Sequence, residues 1–384
     1  MTGPISGVKV LEFAGIGPGP FAAMMLSDMG ADVIRIERPG GRDPTPDRID
    51  LRGRRTIALD LKSPAAIALC LELCESAEIV IEGSRPGVME RLGLGPDVML
   101  ARNPKLVYGR MTGWGQFGPL SHAAGHDINY IAVSGALHSI GTTDRPVPPL
   151  NLLGDYGGGA MFLIAGLLAG LIHSRDTGQG QTVDAAMTDG SAYLMTLCYS
   201  MLAGNRWTDR RGINTLDGGA PFYDTYQCSD GRWVALGSIE PQFYSLLLEK
   251  CGATGLLPKP QMERAAWPEM KQILARVFGT KTCEEWCAIM EGTDVCFAPV
   301  LSLREAPRHP HNVARETFVE LDGVTTPAPA PRFSATPATV QFGPRPVGHG
   351  ARQTLLDWGV SPRRIEELAS DGTLPVNTPD SPRP

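Results

Sequence analysis

The first few dozen residues set out a strand, a Gly/Pro turn, a helix and a second strand in quick succession, and few folds accept that order. Val8-Lys9-Val10-Leu11-Glu12-Phe13 is an apolar run of the length of a buried strand, Gly15 to Pro20 is a tight turn, Phe21 to Met29 reads as a helix, and Ala31 to Ile36 reads as a further strand. Parallel neighbours need a crossover connection, so this is one βαβ unit. Further β-like runs at Thr56 to Leu59, Glu78 to Ile81, Leu106 to Met111 and Gln181 to Ala186, with the helical stretch Pro64 to Cys74 between, extend it into a parallel sheet.

A chain of 384 residues is long enough for two domains. The long apolar segment Met187 to Leu202 is read as the bridge between them. From about Tyr223 to Leu303 the pattern is smaller and mixed, with a strand at Trp233 to Leu236, helices at Pro241 to Cys251, Pro268 to Phe278 and Cys283 to Met290, and an extended run at Cys296 to Val300. The expected organisation is a large α/β domain over residues 1–200 ending in a linker helix, a small α+β domain over 220–305, and a return segment to the large domain over 306–372. Extended Pro-rich loops are expected at Thr326 to Pro331 and Pro344 to Pro346, short helices at Gln353 to Trp358 and Pro362 to Leu368, and a disordered tail over 373–384.

Composition excludes several classes. With 42% hydrophobic and 20% charged residues the chain folds, and a net charge of −6 disfavours general binding to nucleic acid or to an anionic membrane surface. The amino terminus lacks the basic segment and long apolar run of a secretory signal, so a cytoplasmic location is expected. The strongly apolar stretch Ala160 to Ile172 falls short of the roughly 20 residues that cross a bilayer, so it is read as a buried core helix whose Gly166 and Gly170 permit close packing. Eight scattered cysteines show no paired Cys-x-x-Cys pattern, which fits a reducing compartment, and no metal is expected.

Five motifs carry candidate chemistry. Gly15-Ile-Gly-Pro-Gly-Pro20, with Glu37 further on, imitates a dinucleotide fingerprint, but Pro20 replaces the last glycine and prolines remove N–H donors from a pyrophosphate site, so no nicotinamide is expected. Between Arg35 and Lys62 eight basic residues face five acids, a composition that suits either a phosphorylated ligand or a solvated loop. His126 follows a glycine in Gly125-His126-Asp127-Ile128-Asn129-Tyr130, where an imidazole can move a proton near neutral pH or simply brace a loop. Asp155 in Leu153-Gly154-Asp155-Tyr156-Gly157-Gly158-Gly159 is a helix-capping carboxylate or an acid/base group, beside glycines that would let a ligand carbonyl approach backbone N–H groups. Glu240, before Pro241, is either a cap or a further functional carboxylate.

Together these residues resemble the class III CoA-transferase superfamily, and within it the α-methylacyl-CoA racemases, from Gly3 to about Gly372. Pro4-Ile5-Ser6-Gly7-Val8, Arg85-Pro86-Gly87, Gly178-Gln179-Gly180-Gln181 and Pro331-Arg332-Phe333-Ser334 match features of the whole superfamily, while the segment around His126 is the one that separates racemases from transferases. The resemblance implies a large Rossmann-like, CoA-binding domain with a smaller α+β domain, in an interlocked homodimer. It implies a 1,1-proton transfer in which His126 and Asp155 work on opposite faces of an enolate, with Glu240 orienting the histidine across subunits. Arg38, Leu59, Asp60, Leu61, Lys62, Gly83, Ser84, Arg85 and Arg91 would hold CoA, and Gly125, Asp127 and Tyr130 belong to the ligand-binding segment. The implied partners are an acyl-CoA thioester and a second copy of the chain, with no separate cofactor. Two rivals stand beside this: a CoA-transferase using Asp155 as nucleophile, and a CoA-thioester-binding protein without turnover.

Overall fold

β1 (Lys9–Phe13) is buried along nearly its whole length, as a central strand covered on both faces must be. In the computed structural model, which describes residues 2–374, it pairs in parallel with β2 (Asp32–Glu37) on one side and β4 (Ile79–Glu82) on the other. β3 (Arg54–Ala58), β5 (Val107–Thr112) and β6 (Gln181–Ala186) complete a parallel sheet in the order β3-β2-β1-β4-β5-β6. Strand order reverses between β1 and β4, and in open α/β sheets ligands settle in the crevice beyond the carboxyl ends of the strands at such a reversal.

Helices cover both faces. Leu69, Cys70, Leu73 and Cys74 of the Pro64–Ser76 helix close one face, together with Leu355, Ile365 and Leu368 from the carboxyl-terminal helices Ala351–Asp357 and Pro362–Ser370. Ala22, Ala23 and Leu26 of the Pro18–Asp28 helix, with Leu163, Leu167 and Leu171 of the Met161–Thr177 helix, close the other. Burial pushes the Cys70 and Cys74 thiols up to about 12, so both serve as apolar packing.

The apolar stretch differs from its expected length. It continues from Leu152 to Thr177, 26 residues, and by length and composition alone this is enough to cross a membrane. Half of its most apolar window is buried inside the protein. Gly166 and Gly170 let it settle against the sheet: a Cβ at the first would lie 2.6 Å from Val183 Cγ1, and at the second 2.8 Å from Val107 Cγ1.

Buried charge ties the edge of the sheet together. Glu12, Arg35 and Arg54 are all nearly inaccessible. The Arg35 guanidinium pairs with Glu12 and Glu37 and donates to the Gly15 carbonyl at 3.2 Å, while Arg54 Nε lies 3.3 Å from Glu12 and its two other nitrogens donate to the Arg52 and Pro20 carbonyls. Arg52 pairs with Asp28, and Arg55 with Asp32 and Asp357. Four of the eight basic residues counted between Arg35 and Lys62 are therefore internal struts, which a local charge count cannot distinguish from ligand-binding groups.

The described residues divide into two units, the first of 2–134, 150–194 and 310–374, the second of 135–149 and 195–309. The second thus takes 135–149 and 195–219, which lie outside the 220–305 expected for the small domain. Its core of Phe222, Trp267, Phe278 and Trp286 packs helices Pro241–Lys250, Trp267–Phe278 and Cys283–Met290 on an antiparallel sheet of β7 (Thr225–Gln227), β8 (Trp233–Leu236) and β9 (Phe297–Pro299). In the first unit, the expected loop at Thr326 to Pro331 begins instead as a strand: β10 (Phe318–Leu321) and β11 (Val324–Pro327) form a hairpin over Asp322 and Gly323, both left-handed. Leu374 is buried in the first unit's core, so the expected tail at 373–384 starts too early; residues 375–384 lie outside the described residues.

Candidate active site

The crevice predicted by the strand reversal is present. A cavity of about 400 Å³ opens where the chain leaves β1 (Gly15 to Pro20), β4 (Gly83 to Pro86) and β5 (Gly113 and Trp114), and His126, Tyr130 and Asp155 complete its wall. His126 and Asp155, 29 positions apart in the chain, thus face one space.

Each of the two arrives by a different local device. His126 is the residue before the Asp127–Val133 helix, with extended backbone (φ −134°), and its N–H donates to Asn129 Oδ1 at 3.0 Å. This loop-closing bond leaves the imidazole exposed toward the cavity. Asp155 instead lies inside a π-helical segment, Leu152–Ala160, that runs directly into the Met161–Thr177 helix. Wide π turns are rare and recur at functional sites, because the extra residue turns a side chain that an α-helix would direct elsewhere.

The glycines around Asp155 have a packing role beyond the expected one of leaving N–H groups open to a ligand. A Cβ at Gly154 would lie 2.5 Å from Asp127 Oδ2, one at Gly158 2.6 Å from the Ser191 backbone nitrogen, and one at Gly159 2.9 Å from Met187 Cγ. The Met187–Leu194 helix thus rests directly on the π turn. Gly17, at φ 69° in the opposite wall, is the glycine that does face the carboxylate: a Cβ there would sit 3.4 Å from Asp155 Oδ2.

Asp127 also has a structural part. It is expected among the ligand-binding residues; its side chain is buried and its Oδ2 accepts the Asp155 backbone N–H at 2.7 Å, so its backbone is the part that could meet a ligand. It is a strut between the helix that carries His126 and the turn that carries Asp155. Burial raises the Asp155 pKa above the ordinary carboxylate value, the Asn151 hydrogen bond opposes that, and Asp127 adds a like-charge push upward while His126 pulls down. Asp127→Asn keeps an acceptor for the Asp155 N–H and removes the charge. A carboxyl-carbon NMR titration is expected to show Asp155 losing its proton at lower pH in that variant; an unchanged titration would contradict the coupling.

Tyr130 packs edge-on to Trp114, with ring centres 4.8 Å apart, and against Gly113. A Cβ at Gly125 would lie 2.7 Å from the Tyr130 ring, which explains the glycine before His126. Burial, and then the negative charge of Asp155, push the Tyr130 hydroxyl upward.

Of the expected CoA set, Gly83, Ser84 and Arg85 line the cavity. Arg38, Asp60, Lys62 and Arg91 are exposed and outside its lining. Arg38 follows β2 and Asp60 to Lys62 follow β3, so they continue the carboxyl edge of the sheet away from the cavity. Asp60 Oδ1 accepts the Lys62 N–H at 3.1 Å and shapes that turn. Leu61 is half-buried, and the Leu59 side chain is wholly in the core, so only the Leu59 backbone could meet a ligand. Glu240 stands exposed at the start of the Pro241–Lys250 helix in the second unit, on a corner braced by Gln261 Nε2, which donates to the Ser238 and Ile239 carbonyls at 3.0 and 2.8 Å. Sequence reasoning met Gly17 only as part of the Gly15 to Pro20 turn and did not pick out Trp114, Asn151 or Gln261; an Asn four residues before an Asp is the only one of these three with a local signal.

Residues 5–350 match the family described as CoA-transferase family III. The chain is 45% identical over 371 residues to the α-methylacyl-CoA racemase of Mus musculus, covering 96% of each chain. It is 43% identical over 376 residues to the α-methylacyl-CoA racemase of Homo sapiens, covering 97% of this chain and 98% of that one. The crystal structure of a CAIB/BAIF family protein from Brucella suis superposes with a TM-score of 0.80 at 23% identity, over 93% of this chain and all of that one, which shows the shared fold.

Proposed function

The chain belongs to CoA-transferase family III, and from that premise we propose that it is an α-methylacyl-CoA racemase, interconverting (R)- and (S)-2-methylacyl-CoA thioesters. The observation that carries the reading is the placing of His126 and Asp155 in the wall of one cavity. The thioester acidifies the α-carbon. One of the two groups removes the α-proton, an enolate forms, and the other returns a proton to the opposite face. Asp155 suits this role because burial, with a smaller push from Asp127, raises its pKa above the ordinary carboxylate value and so favours its holding a proton.

The enolate's negative charge faces the positive ends of two helices that begin in the cavity wall: the one after Gly17, where Gly19 supplies the N–H because Pro18 and Pro20 have none, and the one after His126. Gly83 to Arg85 open toward the CoA phosphates, and Arg38, Lys62 and Arg91 extend that cationic surface. The chemistry uses protein side chains alone, and no metal or nicotinamide forms part of the proposal. An interlocked pair of chains does: by likeness to the racemases, Glu240 of the partner subunit orients His126.

The transferase alternative makes Asp155 a nucleophile, and the two readings separate in one experiment. The protein is incubated with a 2-methylacyl-CoA, a free carboxylate acceptor and hydroxylamine. Epimerisation without CoA transfer, and with an unmodified Asp155 by mass spectrometry, is the expected result. Transfer to the acceptor with a trapped hydroxamate at Asp155 would replace the racemase reading by the transferase one.

A further inference from the structure

The second residue before the π turn has an unusual backbone. Leu150 is exposed, yet it holds a left-handed conformation at φ 61°, one that side-chain-bearing residues rarely adopt. Such a kink persists where the surroundings require it. What it delivers is Asn151, whose Nδ2 donates to Asp155 Oδ2 at 3.3 Å. The same oxygen faces Gly17 across the cavity, and the Asp155 backbone N–H is held by Asp127. Among the described residues, Asn151 is the one side chain that donates to the Asp155 carboxylate.

Resting on the racemase reading, we propose that Asn151 is a positioning residue of the reaction: it anchors Oδ2 of Asp155 so that Oδ1 is the oxygen that takes and returns the substrate proton. The anchor survives the cycle. With the proton on Oδ1, Oδ2 is a carbonyl oxygen and still accepts; with the proton gone, the bond strengthens because its acceptor is charged. Asn151 therefore also opposes the upward push of burial and Asp127 on the Asp155 pKa. The other titratable or charged groups around the carboxylate are His126, Asp127 and Tyr130 at the start of the Asp127–Val133 helix and Arg85 in the loop after β4. Asp189, on the helix packed against the π turn, acts on Asp184.

The test compares the full-length parent with Asn151→Ala and Asn151→Ser. For the alanine variant kcat is expected to fall about tenfold, as for a misplaced catalytic group, with KM within about twofold of the parent. The acid limb of the kcat/KM profile is expected to move to higher pH, equally for both epimers because the ratio of their kcat/KM values equals the pH-independent equilibrium constant between them, and serine should restore part of both effects. An Asp155 carboxyl-carbon signal, assigned by its absence in Asp155→Asn, should titrate at higher pH in Asn151→Ala. A pH profile and a carbon titration that both stay put, or a rise in KM with kcat unchanged, would overturn the proposal. If the parent itself does not epimerise substrate, the racemase reading fails, while the carbon titration still decides whether Asn151 holds Asp155.

Discussion

Asp155→Asn slows epimerisation of a 2-methylacyl-CoA by a factor of about 10² to 10⁴ in both directions, the range that a positioned acid/base group contributes. Both directions fall together because every turnover uses one group as base and the other as acid. The amide keeps the size of the carboxylate and can still meet Asn151, so the loss is chemical and not a collapse of the π turn. Stability is expected to change in the opposite sense. The folded chain raises the Asp155 pKa, chiefly by burial, so the folded state binds this proton more tightly than the unfolded one. The ionised carboxylate therefore weakens folding at any pH above its folded value, and the penalty fades as pH falls toward and below the unfolded value. Asp155→Asn should melt at a higher temperature than the parent at pH 7.5 and lose that advantage near pH 4. A lower melting temperature at pH 7.5 would mean that the ionised group is not held against its own desolvation.

Glu12→Gln is expected to cost about 3–5 kcal/mol of folding stability, the range for removing one partner from a buried ion pair. Glu12 is 1% exposed and answers both Arg35 and Arg54, which are themselves buried. Glutamine fits the space but leaves one positive charge in excess. Arg35 retains Glu37 and the Gly15 carbonyl, while Arg54 retains only main-chain oxygens. Because Arg35 also holds the first residue of the cavity-lining turn, loss of activity should accompany the loss of stability. Chemical denaturation followed by tryptophan fluorescence checks this; a change under about 1 kcal/mol would show that the arginines redistribute their bonds at little cost.

How much of this was legible in the sequence depended on the range of the interactions. β1, β2 and β4 were readable because strands buried on both faces must be continuous apolar runs, and the crossover rule then supplied a parallel sheet. The helix after β1 begins at Pro18, three residues earlier than read, because proline fits the first turn whose N–H groups have no intrahelical partner. The hairpin at Phe318–Pro327 was missed although Asp322-Gly323 is a strong turn signal, since the neighbouring prolines suggested loop.

His126 and Asp155 were each visible as motif residues, and the structure adds that one cavity holds both. The strut from Asp127 to the Asp155 backbone joins segments 28 residues apart and has no sequence signature. The π turn was equally hidden: its glycines signalled an open backbone, and nothing local showed that they also admit Ser191 and Met187. Likewise Arg35, Arg52, Arg54 and Arg55 have the composition of a phosphate site and the surroundings of structural ion pairs.

The central claim is that two groups on opposite sides of one α-carbon divide the proton transfer, and proton NMR in deuterated water tests it directly. Each pure epimer of a 2-methylacyl-CoA is followed for loss of the α-proton signal and for appearance of the other epimer. The parent should exchange and epimerise both. Asp155→Asn should exchange the α-proton of only one epimer, without inversion, His126→Ala that of only the other, and the double variant neither. Exchange of both epimers by either single variant would contradict a two-sided mechanism and leave one of the two residues outside the chemistry.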